Sequence, residues 1–216
     1  MVCSLEMNRQ CLLDAYQIDE CPNCHKSLVS EGANNTQQIL CNLNNEGGLQ
    51  ENLDIYPLLK EESYLKAYPE ERKARAFLEF CRSGDLQAVI EMIQSSKEDE
   101  GDGGEDMGPS MDEIFRYQDP IGDRQSGLHA AVAAGSREIA WLLLLLASEL
   151  ELTEFPPEVS QEAKGLGIMR EEKRGLVDIR TLRDEENRTA EDVARELANQ
   201  GNNIWNGWIG NARLVA

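Results

Sequence analysis

The sequence predicts an all-α fold built of short helix pairs, with insert loops and an irregular N-terminal segment. Three observations carry this. Ala74, Phe77, Leu78 and Cys81 recur at i, i+3, i+4 and i+7, and after Ser83-Gly84-Asp85 a second stripe follows: Leu86, Val89, Ile90 and Ile93. The same layout returns with Leu128, Ala131 and Val132, then Gly135, then Ile139, Leu142, Leu143 and Leu146. Hydrophobic residues make up 41% of the chain but aromatics only 6%, which suits thin Ala/Leu-rich helical layers better than a wide β core.

In chain order, residues 1–60 read as an irregular, Cys-containing segment. Asn34-Asn35-Thr36-Gln37-Gln38 and Asn42 to Gly48 have turn and loop composition, and residues 12–16 suit a short helix. A helix is expected from Ile55 to Tyr68, stopped by Pro69. Residues 61–216 then form the main domain. Its first insert, 96–112, is acidic and Gly-rich and cannot bury enough apolar surface to fold alone. Met111, Ile114 and Phe115 re-anchor the chain. A second insert, 151–181, contains a helix opened by Pro156-Pro157 and continued by Val159, Ala163, Leu166 and Met169. Trp205 and Trp208 are expected to cover the open end of the stack.

The stretch from Asp119 to Gly135, with Ser126-Gly127-Leu128-His129 before Ala131, resembles one ankyrin repeat. Ser126 stands where that family has Thr, and Gly127 where it has Pro. The span from Gly122 to Ser126 is longer than the family pattern. Residues 70–95 resemble a preceding repeat, with Gly84 matching Gly135. Residues 184–194 resemble a following one, with Asn187 in the usual Gly position, Thr189 in the hydroxyl position and Asp192 replacing His. The resemblance implies an ankyrin-type helical solenoid of about three divergent repeats. It assigns His129 hydrogen bonds within and between turns. It also places partner contacts on the hairpin tips and first-helix surfaces: Asp119, Ile121, Asp123, Arg124 and Gln125, then Asp184, Glu185, Glu186 and Arg188. The function it implies is a protein–protein interaction adaptor.

A net charge of −19 argues against sequence-independent nucleic-acid binding, which needs phosphate neutralisation, and favours a net basic protein partner. No basic residue interrupts the acids from Glu98 to Glu113. An acidic escort for a basic client such as a ribosomal protein or histone is therefore a second expectation. Neither a leader-like N-terminus nor a long apolar run is present. Ile139 to Ala147 falls short of the roughly 20 residues that cross a bilayer, so no membrane partner and a cytoplasmic or nuclear location are expected.

Cys21-Pro-Asn-Cys24-His25-Lys26 leaves three readings open. It matches one knuckle of a zinc site, with Cys41 and Cys11 (or Cys3 or His25) completing the set and giving a zinc-binding regulatory protein. It also matches covalent haem attachment, which lacks the accompanying export signal. The third reading is a tail with thiols and no cofactor. No nucleophile elbow, P-loop, dinucleotide fingerprint or zinc-protease helix occurs, so no enzyme activity is expected.

Overall fold

A computed structural model describes residues 19–21, 24–32, 35–99, 108–170 and 175–216. The chain divides into two compact units, Met1–Pro69 and Glu70–Ala216.

The first unit corrects the all-α expectation. Strand β1 (Ser30–Glu31) pairs antiparallel with β2 (Gln37–Gln38), and β3 (Leu40–Asn45) with β4 (Gly48–Asp54). The protein is therefore mixed, with two small antiparallel sheets beside its helices. Leu40 and Leu43 lie three apart, with a register shift between Cys41 and Leu43, so no strict apolar/polar alternation marks this hairpin in a stretch of Asn/Gln composition. Leu40, Leu43, Leu49 and Leu53 all stay exposed, so backbone pairing rather than apolar burial holds this ribbon. Its small core is Ile39 and Leu59, packed by Leu28, Val29, Ile55 and Tyr56. Asp54 Oδ1 accepts from the backbone N–H groups of both Ile39 and Tyr56, which ties the end of β4 to the start of helix α1 (Tyr56–Ala67). That helix ends at Tyr68, ahead of Pro69, as its sequence requires. The short helix expected at residues 12–16 lies outside the described residues.

The second unit contains α2 (Arg72–Ser83), α3 (Leu86–Asp99), α4 (Met111–Arg116), α5 (Gly127–Ala134), α6 (Arg137–Ala147), α7 (Pro157–Gly165) and α8 (Ala190–Asn199). Helices α2 and α3 pack as a pair, and so do α5 and α6. Helix α2 also packs on α5, and α5 on α8, so the first helices form a row. The anticipated stripes are the core: Ala74, Phe77, Leu78, Cys81, Val89, Ile90, Ile93, Leu128, Ala131, Val132, Ile139, Leu142 and Leu143 are all buried. Gly84 and Gly135 both end their helices at positive φ, 71° and 73°. Gly127 has a different reason. A Cβ there would lie 2.8 Å from Phe77 Cε1 and 3.4 Å from Cys81 Sγ, so α5 approaches α2 more closely than any side chain at this position allows.

Helix α8 has no second helix behind it. Residues 201–216 instead turn back over the stack, burying Trp205, Trp208 and Leu214. The Trp205 indole N–H donates to the Val132 carbonyl at 3.0 Å. In the second insert, Ala163 is buried as its spacing requires, whereas Leu166 and Met169 are exposed. Ser110 and Glu113 form a reciprocal cap on α4 and re-anchor the chain after the acidic insert, of which residues 100–107 lie outside the described residues.

Because this core and its caps lie within Glu70–Ala216, a chain beginning at Glu70 is expected to keep a cooperative helical melt by circular dichroism. A broad, non-cooperative melt of that fragment would make residues 1–69 part of its core.

Candidate interaction surface at the loop tips

The turns before α5 and α8 are built alike, each around a buried aspartate. Asp119 Oδ1 accepts from the backbone N–H groups of Ile121 (3.2 Å) and Gly122 (3.0 Å), shaping its own turn. The same carboxylate receives Arg75 Nη1 at 2.6 Å and Arg82 Nη2 at 3.1 Å, both from α2. Asp184 repeats the device, accepting the Arg188 backbone N–H at 2.9 Å and its guanidinium at 2.8 Å. Burial works against charge on Asp119, yet the bonds from Arg82 and Arg75 hold its carboxyl below the usual range. For Asp184, burial is likewise outweighed by the Arg188 N–H and guanidinium.

These contacts set the depth of each residue in the expected binding set. The Asp119 and Asp184 carboxylates are buried ion-pair centres. Ile121, Gln125 and Arg188 are half-buried, and Arg188 is engaged by Asp184, Glu186 and Glu196. Asp123, Arg124, Glu185 and Glu186 are exposed. Sequence reading missed Arg75 and Arg82, the α2 side chains that fix the α5 tip. Two arginines beside the buried stripe residues Ala74 and Cys81, in a chain of net charge −19, were the available signal.

Adjacent tips are joined to each other. The Glu185 N–H donates to the Asp123 carbonyl at 2.8 Å, and Gln118 Nε2 donates to the carbonyls of both Arg124 and Arg183. The longer Gly122–Ser126 span does not project as a loose loop. It folds back through a Gln118–Ser126 bridge, with Arg124 at φ 55° and its N–H on the Asp119 carbonyl. In the next tip Asn187 takes φ 62°, the left-handed conformation expected of it.

His129 lies fully buried beneath this ridge. Its Nε2 is 3.0 Å from the Arg188 carbonyl, which can only accept, so Nε2 carries the proton. Its Nδ1 accepts from the Ser126 hydroxyl (2.8 Å) and the Ser126 backbone N–H (3.3 Å). Thr189 and Asp192 form the corresponding reciprocal cap on α8. Burial lowers the His129 pKa, so the neutral ring is the native form. A depressed folded-state pKa means that the unfolded chain takes up the proton first. Stability is full above the unfolded value of about 6.5 and falls as pH drops from there through the native value. Melting temperatures should therefore decline below about pH 6.5 in the parent, and the His129→Asn variant should lose that component of the slope. Equal slopes in both proteins would mean that His129 is not the titrating group.

Of the expected zinc ligands, Cys21, Cys24 and Cys41 lie in the described residues. In the first unit, the Cys21 N–H bonds the Lys26 carbonyl and the His25 N–H bonds the Cys21 carbonyl, closing a tight turn with Cys21 buried and Cys24 half-buried. Cys41 lies in β3, and Cys11 and Cys3 are outside the described residues. Among the described residues no three His, Cys, Asp or Glu side chains converge as a metal group. Burial pushes the Cys81 thiol up to about 12, leaving it protonated. An open cleft of about 340 Å³ lies against α2 and α4, lined by Glu70, Glu71, Glu113 and Tyr117 among others. Its polar groups already have partners, since Tyr117 donates to Glu71 and Glu113 caps its own helix. Burial and the Glu71 carboxylate push the Tyr117 pKa up, which keeps the phenol protonated.

No family model, curated protein or solved structure matches this chain. Among the described residues no helix is long and apolar enough to cross a membrane.

Proposed function

We propose that the second unit is a protein-interaction module of the ankyrin-repeat kind, an adaptor without catalytic activity that binds a net basic partner along its tip ridge. The observation that carries this reading is the backbone link between the two tips, Glu185 N–H to Asp123 carbonyl, which makes one firm edge of them. That edge presents Asp123, Glu185 and Glu186 to solvent. Arg75 and Arg82 hold the Asp119 turn and Arg188 holds the Asp184 turn, which limits the conformational freedom lost on binding. The acidic stretch between α3 and α4 supports a basic partner as well, since its charge raises the encounter rate. Escort of a basic client is one form this adaptor function takes. The free cysteines Cys21, Cys24, Cys41 and Cys81 suit a reducing compartment, the cytoplasm or nucleus.

The test is affinity capture followed by mass spectrometry, comparing the parent with an Asp123→Asn/Glu185→Gln/Glu186→Gln variant. A basic protein captured by the parent and lost with the variant is expected. Retention of every captured protein by the variant would remove the tips as the binding edge.

A further inference from the structure

The second insert builds a different surface, at the far end of α6. Ser148 and Glu151 take extended dihedrals beyond that helix, with Ser148 and Leu150 buried and Glu149 and Glu151 exposed. The Arg170 guanidinium donates to the Ser148 and Leu150 carbonyls. Asp178 accepts the Glu149 N–H at 2.8 Å. Arg116 donates to the carbonyls of Ala147 and Val177.

Two further segments are tied to this strip by those bonds. One brings Leu166 and Met169, the other Leu176 and Val177, and all four are exposed, Met169 to 63% and Val177 to 55%. Gln94 of α3 fixes the Leu166 carbonyl at 3.0 Å. Exposed apolar side chains thus lie in the segments tied to two exposed carboxylates, whereas the apolar stripes of the helix pairs in this unit are buried.

We infer that this strip is a second docking site, independent of the loop tips, and that it takes a basic amphipathic segment of another protein. Such a segment sets its cations over Glu149 and Glu151 and its apolar side chains on Met169 and Val177. A second copy of this chain fits poorly, because a two-fold contact would set the same carboxylates against themselves. An anionic lipid surface is repelled by the same pair and by the net charge of −19.

The test uses the full chain and a fluorescent Leu/Lys amphipathic peptide, with a Leu/Glu peptide of equal length as control, read by anisotropy across a salt series. The Lys peptide should bind and the Glu peptide should not. Met169→Ser/Val177→Ser should weaken binding about tenfold or more while leaving the melting temperature unchanged. Glu149→Gln/Glu151→Gln should also weaken it and flatten its salt dependence. The Asp123→Asn/Glu185→Gln/Glu186→Gln variant should bind as the parent does, which separates this site from the tips. Equal binding of the Lys peptide to the parent and to Met169→Ser/Val177→Ser would overturn the inference, reducing the interaction to non-specific charge. So would concentration-dependent self-association of the parent that the same double substitution abolishes, because the occupant would then be a second copy.

Discussion

Replacing Leu143 with Asp is expected to unfold the second unit outright. Leu143 is fully buried in α6, among Leu142, Leu144 and Leu145, in the core cluster that joins both helix pairs to the C-terminal tryptophans. Removing a leucine's volume from such a core costs about 2–5 kcal/mol. The carboxylate adds the cost of burying an unpaired polar group, several kcal/mol more, unless it takes up a proton or forces water into the core. Whole domains are stable by only about 5–15 kcal/mol, so the two losses together exhaust the margin. The exposed neighbour Glu138 on the same helix provides the contrast, and Glu138→Gln should leave the melt almost unchanged. Circular dichroism and tryptophan fluorescence report both, since Trp141 packs against Trp208 and Phe155. A Leu143→Asp protein that melts cooperatively near the parent temperature would show that the α6 helix phase is wrong.

The helical core was legible because burial on a helix imposes a period that survives divergence. The stripes of α2, α3, α5 and α6, their glycine stops and the hydroxyl residues before α5 and α8 all follow local rules. The β-hairpin was missed because its pairing uses backbone groups that every residue carries. Its leucines are exposed, so no burial pattern marked it, and its Asn, Gln and Gly content matches that of a loop. The tips were located correctly in the chain but not in depth. Asp119 and Asp184 occupy turn positions where aspartate is ordinarily solvated. What buries Asp119 is a pair of arginines from α2, distant in sequence, and no local rule pairs residue 75 with residue 119. Leu166 and Met169 fit the expected helical spacing, but α7 stops at Gly165 and leaves both outside, a boundary that apolar spacing alone does not set.

That long-range ion pair gives the second large effect. Asp119→Ala is expected to cost about 3–5 kcal/mol, because it takes the carboxylate from a buried guanidinium whose neutral neighbour Tyr117 does not replace that charge. Arg75 is buried, and its Nη1 sits 2.6 Å from the lost carboxylate. Its guanidinium stays protonated at any pH that the fold survives, so neutralisation offers no escape. The same substitution removes the acceptor for the Ile121 and Gly122 N–H groups and loosens the turn. Arg82 is less affected, being nearer solvent and still bound to Glu79. The double variant Arg75→Met/Asp119→Ala separates the causes. It takes away the buried charge but leaves the turn without its acceptor, so it should recover a good part of the loss. Denaturant titration of the parent, the two single variants and the double variant measures the coupling directly. A double variant no more stable than Asp119→Ala would mean that the turn hydrogen bonds, and not the Arg75 pair, hold this tip in place.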